Sequence, residues 1–378
     1  MLATTAAMIE QFNMENIKLL NDMEYIVDVA GNFQKGNPIS VQRLDSFKAW
    51  VEERNGRCYD ISSVRNPINI KANLAAYRDV VRIVKENKYK FIHCHTPIGA
   101  VIGRLAAHRT YTPIIYTAHG FHFFKGAPML NWMIYYPVEW ILSYWTDLLI
   151  LINKEDYQIA KRKMKAKKIC YVPGIGVDTC RFNKKKSDEA KKLFRQKYNI
   201  PREAKIILSV GELIERKNHG FVIEALAELE CDNVYYIICG KGPLEKELLQ
   251  KAKRHGIEKK VLLIGFIDDV SEVYPVVDMF VFPSKQEGLS VALMEAMAAG
   301  LPCLASKIRG NTDLLDDDVL FSLDNVQELI LKLNTLLNDG EMMKNKALEN
   351  STNIKKLDCK YIRENMKTIY SEIVQTGG

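Results

Sequence analysis

The 378-residue sequence lacks the features that mark several special classes of protein. It has no uncharged apolar run of about eighteen residues or more, so no membrane-spanning helix is predicted. The first residues lack the basic and long apolar regions of a signal peptide, and the eight cysteines include no Cys-x-x-Cys pair. Reduced, buried thiols and a cytoplasmic location are therefore expected. The sequence also has no short repeat and no low-complexity segment.

The composition is that of an ordinary globular chain, with 47% hydrophobic and 26% charged residues. The length favours two domains over one. The net charge is only +7, but basic residues cluster at 161–168 and 184–186. Each run is typical of a solvated helix face or loop, and both together are compatible with attraction to phosphates or to an anionic membrane surface. No nucleic-acid partner is expected.

Short β-branched runs alternate with helical spacing along the whole chain. This alternation predicts parallel sheets with helices on both faces. In the first half the predicted strands are 25–30, 91–95, 113–118 and 148–152, with helices at 73–87 and 98–109. In the second half the predicted strands are 205–211, 234–240, 261–265 and 279–283.

A turn at 173–178 and a charged segment to about residue 200 separate the two series. The predicted organisation is a first domain at 1–175, a linker at 176–200, a second domain at 201–355 and a C-terminal helix within 356–378 that packs on the first domain. The fold class is α/β, with two doubly wound Rossmann-like domains facing each other across a cleft. Ligands are expected at the carboxyl ends of the strands.

Residues 287–302 carry the most chemistry of any stretch. Ser290 is a natural N-cap, while Gly300 and Pro302 are typical of a helix end. The first turn of this helix presents free N–H groups, and Gly288 lets an anion approach them closely. Glu287 and Glu295 are placed to face one ligand. A sugar nucleotide offers hydroxyls for the two carboxylates and a diphosphate for the helix end.

Several further segments belong to one recognisable pattern together with the 287–295 element. They are Gly211-Glu212-Leu213-Ile214-Glu215-Arg216-Lys217-Asn218-His219, Cys239-Gly240-Lys241-Gly242-Pro243-Leu244, Gly265-Phe266, His93-Cys94-His95-Thr96-Pro97, Thr117-Ala118-His119-Gly120-Phe121-His122-Phe123 and Ile152-Asn153-Lys154-Glu155-Asp156. With these segments the chain resembles retaining GT-B glycosyltransferases of family four, in the bacterial subgroup that makes capsular polysaccharide, exopolysaccharide or O-antigen. The resemblance covers nearly the whole chain and implies a nucleotide-sugar donor, by default a UDP-sugar, a saccharide acceptor that is commonly lipid-linked, and neither metal nor cofactor.

The resemblance implies a role for each donor-side residue. Glu295 is expected to bind ribose hydroxyls, Glu287 the donor sugar, and Lys217, with its neighbour Arg216, the diphosphate. The backbones of Gly288, Leu289 and Ser290 are expected to donate to the diphosphate and sugar, and Gly240, Gly242 and Phe266 to lie near the base and ribose. One departure is Glu212, where many members of the family carry arginine, so one phosphate contact is missing from the pattern.

In the first half, the resemblance places His119 near the donor sugar and the β-phosphate. His95 and His122 are candidates for the acceptor side, as is a loop that begins with Thr4 and Thr5. His93 and His95 alternate along a strand, but two ligands without a third make a poor zinc site. Asp316-Asp317-Asp318 is interpreted as a turn, and no metal site is predicted.

Residues 121–145 are unusually aromatic. They fit either a helix packed in the first-domain core or an interfacial element that meets lipid headgroups beside the 161–168 run. The predicted function is transfer of a sugar to a lipid-linked saccharide, with the protein peripheral on the inner face of the plasma membrane. A sugar-nucleotide epimerase and a non-catalytic sugar-nucleotide-binding partner of another transferase are the alternatives.

Overall fold

The structure, a computed structural model, describes residues 1–37, 39–64, 66–184, 187–229 and 233–376. It divides into two compact units. The first contains Met1–Ile175 and the C-terminal residues from Lys360, and the second is Gly176–Cys359. No helix in the described ranges combines the length and the apolar character needed to cross a membrane.

The first unit is built on a seven-stranded sheet in which every pair of neighbouring strands is parallel. The strand order is β3-β2-β1-β4-β5-β6-β7. The elements, in chain order, are β1 (Leu2–Thr5), α1 (Ala6–Phe12), α2 (Met14–Asp22), β2 (Val29–Asn32), α3 (Val41–Glu52), β3 (Cys58–Asp60), α4 (Ile70–Asn87), β4 (Ile92–His95), α5 (Pro97–Thr110), β5 (Ile114–Ala118), α6 (Met129–Ser143), β6 (Leu148–Leu151), α7 (Lys154–Lys163) and β7 (Lys168–Tyr171).

The second unit has a six-stranded parallel sheet in the order β10-β9-β8-β11-β12-β13. Its elements are α8 (Thr179–Phe182), α9 (Asp188–Lys197), β8 (Lys205–Val210), α10 (His219–Ala227), β9 (Val234–Cys239), α11 (Glu245–Arg254), β10 (Val261–Gly265), β11 (Met279–Phe282), α12 (Val291–Ala298), β12 (Cys303–Ser306), α13 (Asn311–Leu314), β13 (Leu320–Phe321), α14 (Val326–Asn338) and α15 (Gly340–Asn353). The last helix of the chain, α16 (Cys359–Thr376), follows.

Both sheets are doubly wound, which confirms the predicted fold class. The strand order reverses between β1 and β4 in the first unit and between β8 and β11 in the second. At such a reversal the loops leaving the two central strands run in opposite directions, and the space between them is where open α/β sheets bind ligands.

Three local expectations differ from the structure. The strand expected at 25–30 starts only at Val29, because Tyr25 caps the preceding turn with its N–H on the carbonyl of Leu20. Thr4 and Thr5, expected in a loop, belong to β1, and α1 begins at the next residue. The segment 176–200, expected to be a linker, lies within the second compact unit and contains α8 and α9.

Helix α16 supplies part of the core of the first unit. Ile362, Met366, Ile369, Tyr370 and Ile373 are buried in one cluster with residues of β1, β2, β5 and β6. The Tyr370 hydroxyl also lies 2.9 Å from His93 Nδ1. The far end of the sequence therefore completes the unit that the first 175 residues begin.

Candidate functional site

Two loops of the second unit leave the paired central strands β8 and β11 at the point where the strand order reverses. The loop after β8 carries Arg216 and Lys217, and the loop after β11 carries Glu287. The two loops are about seventy residues apart in the sequence. They lie side by side because β8 and β11 are neighbours in the sheet. The predicted diphosphate-binding and sugar-binding side chains are thus in direct contact.

Glu287 is the centre of this contact. Its Oε1 accepts hydrogen bonds from Arg216 Nη1 at 2.7 Å, Lys217 Nζ at 2.8 Å and Ser284 Oγ at 2.6 Å. Lys217 Nζ also lies 4.9 Å from the centre of the Phe282 ring. The carboxylate neutralises one of the two cationic side chains, and one positive charge remains in excess. The cluster therefore favours an additional anion.

The N-terminus of α12 lies immediately after Glu287 in the chain. Ser290 Oγ accepts a hydrogen bond from the Leu293 N–H at 3.3 Å, as expected for an N-cap, and Leu289 is buried. The buried Arg309 donates through Nε to the Glu287 carbonyl at 3.0 Å. These contacts fix the backbone before the helix, so its first N–H groups and the cations of the neighbouring loop form a positive region.

Glu295 lies one turn into α12 and is bonded differently from Glu287. Its Oε2 accepts a hydrogen bond from the Tyr274 hydroxyl at 3.0 Å. Desolvation by burial raises the pKa of Glu295 to about 7, and the Tyr274 hydrogen bond opposes this rise. A half-buried carboxylate with one oxygen held by a tyrosine is suited to accept hydroxyl hydrogen bonds when it is ionised.

Gly240 and Gly242 are required by the packing of two loops. A Cβ at Gly240 would lie 1.9 Å from the Gly211 carbonyl oxygen, and one at Gly242 would lie 2.4 Å from the Leu213 carbonyl oxygen. The loop that carries Lys217 thus rests directly on the loop after β9. Phe266 is exposed on the neighbouring loop after β10, and Glu212 is also exposed. Glu212 carries a carboxylate at the position where the resemblance leads one to expect arginine, so this position supplies no positive charge for a phosphate.

In the first unit, three histidines lie close together at the ends of β4 and β5. His95 Nδ1 is 3.1 Å from His119 Nε2, and the rings of His93 and His95 are 4.2 Å apart. Burial lowers the pKa of His119 to about 4 and lowers the pKa values of His93 and His95 well below the ordinary value. All three are therefore neutral at physiological pH.

His95, predicted to lie on the acceptor side, has a side chain that is buried at 1% exposure and bonded to His119. Its Nε2 has no hydrogen-bond partner among the described residues. A buried lone pair without a partner costs less than a buried N–H without one, which places the His95 proton on Nδ1. His95 then donates to His119 Nε2, and His119 carries its own proton on Nδ1. His95 thus orients His119.

The other acceptor-side candidates separate into two kinds. Thr4 and Thr5 are buried, and the Thr4 hydroxyl is bonded to Thr96 Oγ1 at 2.7 Å and to the Gly99 N–H at 3.1 Å. They belong to the framework that joins β1 to β4. His122 is half-buried and stacks on Tyr135, with 4.5 Å between ring centres. It lines an open groove together with Thr4 and Thr96.

The aromatic segment 121–145 has an inner and an outer face. Phe121 and Phe123 are buried, and Trp132, Tyr135 and Tyr136 pack against the same core. The opposite side of α6 exposes a set of large apolar side chains: Met129, Leu130, Met133, Ile134, Val138, Trp140, Ile141 and Tyr144. The core interpretation holds for the inner face, while the outer face has the exposure that an interfacial element requires.

Several residues of the site were missed by the sequence reasoning. Ser284, Arg309 and Tyr274 contact the two glutamates, and Thr96 adopts a positive φ of 63° at the start of α5. No short motif marks Tyr274 or Arg309, because each reaches its glutamate across the fold. Thr96 precedes Pro97, a pattern that could have indicated a special backbone at this position. No group of three or more His, Cys, Asp or Glu side chains in the described part of the chain is placed to hold a metal ion.

Comparison with known proteins identifies relatives across both units. The family described as Glycosyl transferases group 1 matches residues 190–353, and the family described as Glycosyl transferase 4-like matches residues 32–153. The protein with the name "Putative glycosyltransferase EpsD" from Bacillus subtilis (strain 168) is 36% identical over 321 residues, covering 83% of this chain and 80% of EpsD. The UDP-Gal:alpha-D-GlcNAc-diphosphoundecaprenol alpha-1,3-galactosyltransferase of Escherichia coli is 25% identical over 385 residues, or 97% and 94% of the two chains.

Among solved structures, that of Anabaena HepE in complex with UDP-glucose aligns with a TM-score of 0.78. The alignment covers 98% of this chain and 100% of HepE, at 19% sequence identity. At this sequence identity the alignment shows a shared fold only. The family matches and the EpsD relationship carry the assignment to a family.

Proposed function

Because the chain belongs to the glycosyl transferases group 1 family and has the GT-B fold, we propose that it moves a sugar from a UDP-sugar to a lipid-linked saccharide in surface polysaccharide biosynthesis. The observation that carries the proposal is the cluster of Arg216 and Lys217 on Glu287, beside the N-terminus of α12. Cations at a helix N-terminus suit a diphosphate leaving group.

The proposed role of the cluster is to stabilise charge on the departing diphosphate. As the bond between the sugar and the diphosphate breaks, negative charge grows on the β-phosphate oxygens. Lys217 and Arg216 are held in place by Glu287 before any donor binds, so little reorganisation is needed. In this proposal Arg216 supplies the positive charge that Glu212 does not, and no metal ion is required.

The remaining roles follow the family resemblance. Ionised Glu295 accepts hydrogen bonds from the ribose hydroxyls, and the N–H groups that follow Gly288 donate to the diphosphate. His119, neutral and with its proton on Nδ1, is a donor for a hydroxyl or phosphate oxygen of the substrate. We propose transfer with retention at the anomeric carbon, as the resemblance implies.

Support for the donor and acceptor classes comes from the relatives. The Escherichia coli relative is named for a UDP-Gal donor and a diphosphoundecaprenol-linked acceptor, and HepE was solved with UDP-glucose. We extend to this chain the shared chemistry, a UDP-sugar and a lipid-linked acceptor.

The test is a transfer assay with a panel of UDP-sugars and lipid-linked saccharides, in which product is detected by mass spectrometry. Lys217→Ala is expected to lower kcat by about a hundredfold or more, because one charge-assisted contact to the leaving group is lost. Glu287→Ala is expected to lower kcat/KM by a similar factor. Lys285→Ala is the matched control, since Lys285 lies on the same loop but pairs with the exposed Glu215. Wild-type turnover in both site variants would refute the site assignment.

A further inference from the structure

We propose that a groove between α4, α5 and α6 of the first unit binds the apolar chain of a prenyl-linked acceptor. The inference rests on the proposed function and deepens it, because it assigns a binding site to the lipid portion of the acceptor. The occupant is one kind of molecule, an amphiphile with a phosphate-linked polar end and a long prenyl tail. Three observations support it: the lining of the groove, its polar end and its apolar outer edge.

The groove is large and mainly apolar. Its volume is about 840 Å³, and Leu74 of α4, Val101 and Leu105 of α5, and Ile134 and Val138 of α6 are among its lining residues. Leu74 is 44% exposed and Ile134 is 52% exposed, so these aliphatic side chains face solvent in the absence of a ligand. A ligand that covers them gains the free energy of removing their surface from water.

One end of the groove is polar and lies where the strand order reverses. Thr4 and Thr96, at the carboxyl ends of β1 and β4, line it together with the stacked pair of His122 and Tyr135. The Thr4 and Thr96 hydroxyls are bonded to each other and only shape this end of the groove. The half-buried His122 and Tyr135 present aromatic rings, and sugars stack on such rings. The saccharide end of the amphiphile fits here, and its tail extends along the aliphatic walls.

The opposite edge is the exposed face of α6. Met129 and Met133 are 74% and 68% exposed there, beyond the groove-lining Ile134. The same helix also contacts the basic end of α7, because Lys163 lies 5.7 Å from the ring centre of Tyr136 on the core-facing side of α6. Lys161 and Arg162 are exposed on α7 next to Lys163. A helix with an exposed apolar face and a basic neighbouring helix end is complementary to an anionic membrane surface.

A planar bilayer alone is a poorer occupant of the groove itself. Thr4 and Thr96 are recessed at strand ends, and His122 and Tyr135 are half-buried on the loop after β5 and on α6, whereas a headgroup layer meets only protruding side chains. A single extended chain can enter between α4, α5 and α6, while the exposed edge of α6 meets the bilayer from which that chain comes. The groove therefore binds the tail of the acceptor, and the exposed edge of α6 contacts the surrounding bilayer.

The first test measures binding without turnover. Farnesyl phosphate is titrated into the full-length protein by isothermal titration calorimetry, with inorganic phosphate as the headgroup control. The wild type is expected to bind farnesyl phosphate and to bind inorganic phosphate at least about tenfold more weakly, since burial of the tail supplies the affinity. Leu74→Glu and Ile134→Glu are expected to raise the dissociation constant about tenfold.

The control variant is Leu331→Glu, which alters an apolar side chain of the second unit that is 67% exposed. It is expected to leave farnesyl phosphate binding within about twofold of the wild type. Circular dichroism melts establish that Leu74→Glu, Ile134→Glu and Leu331→Glu fold. Folding is expected because each substituted side chain is exposed. Equal binding of farnesyl phosphate by the wild type and both groove variants would overturn the proposal. The proposal would also be overturned if Met133→Glu abolished binding while Leu74→Glu and Ile134→Glu did not, since only the α6 edge would then contact the lipid.

The second test separates this inference from the proposed function. The UDP-sugar panel is offered with a saccharide diphosphoundecaprenol and with the same saccharide diphosphate on a short alkyl chain. The ratio of the short-chain KM to the long-chain KM is expected to fall about tenfold in Leu74→Glu. A ratio unchanged by the variant refutes the groove and leaves the transferase intact. Absence of transfer to either acceptor, with tail-dependent farnesyl phosphate binding retained, refutes the proposed function and leaves the groove.

Discussion

The two glutamates of the 287–295 element have different environments, and this difference has consequences at the scale of single residues. Glu287 is ion-paired with Arg216 and Lys217, whereas Glu295 is bonded to an uncharged tyrosine and is desolvated. Glu287 therefore organises the cations of the site. Glu295, whose pKa is raised to about 7, is the group whose charge changes near neutral pH.

Donor binding is expected to depend on the ionisation of Glu295. The carboxylate must be charged to accept two ribose hydroxyls, and its raised pKa means that it becomes protonated as the pH falls through about 7. The dissociation constant of UDP-glucose, measured by calorimetry between pH 5.5 and 8.5, is expected to be flat above pH 8 and to rise by up to about tenfold per pH unit well below pH 7.

Glu295→Gln supplies the reference for that titration. The amide cannot ionise, so this variant is expected to bind UDP-glucose weakly and with little dependence on pH over the same range. Glu215→Gln is the matched control, because Glu215 is exposed and its carboxylate pairs with Lys285 and not with the Glu295 site. A Glu295→Gln profile with the wild-type slope would mean that another group titrates.

At the scale of elements, the loop before α12 is held by a close backbone approach. Gly310, with a φ of 81°, packs directly against the backbone of Gly288. A Cβ on Gly310 would lie 2.3 Å from the Gly288 carbonyl oxygen. Arg309 Nε donates to the carbonyl of the preceding residue, Glu287. The chain after β12 therefore sets the position of the loop and, through it, the direction of the free N–H groups of α12.

Gly310→Ala is expected to weaken UDP-glucose binding about tenfold, because both the backbone conformation and the clash displace the loop before α12. Gly300→Ala is a close control. Gly300 has a similar φ of 72°, but a Cβ there meets nothing within 4 Å. The control is expected to lose about 1–2 kcal/mol of unfolding free energy from backbone strain alone. Its UDP-glucose affinity, measured by calorimetry, is expected to stay within about twofold of the wild type. Equal affinity losses in both variants would contradict the role of the close approach.

At the scale of the whole molecule, the first compact unit is discontinuous in sequence. Helix α16 returns to it after the second unit and contributes five side chains to its core. The first 175 residues alone would leave that part of the core open to water. The stability of the first unit therefore depends on residues that follow the second unit in the sequence.

Ile369→Ala is expected to destabilise the first unit by about 2–4 kcal/mol, since it removes buried methyl groups and leaves a cavity. Hydrogen exchange followed by mass spectrometry is expected to show faster exchange in β5 and β6 and unchanged exchange in β8 and β9. The control on the same helix is Tyr361→Ala, at a side chain that is 65% exposed. Faster exchange in β8 and β9 alone would place the effect of α16 in the second unit.

Much of the fold follows from local patterns in the sequence. The apolar runs at 113–118 and 279–283 become β5 and β11 with ends within one residue, and Ser290 caps α12 as its hydroxyl and position predict. The class of fold follows as well, because strands separated by helices can pair in parallel and cannot form hairpins. The structure has a strand where a loop was predicted at Thr4, and two helices where a linker was predicted at 176–200. Burial in a sheet or in a compact unit is decided by neighbours that are distant in sequence.

The sequence by itself determined the position of strands such as β5 and β11, the cap of α12, the parallel α/β architecture and the identity of the acidic and basic residues on the loops after the strands. Those properties depend on spacing and capping over a few residues. Only the tertiary structure decided that Arg216 and Lys217 meet Glu287, that Tyr274 holds Glu295, that His95 is buried against His119, and that α4, α5 and α6 leave a groove. The physical reason is strand order, since contacts between loops are set by which strands are neighbours and not by the sequence of either loop.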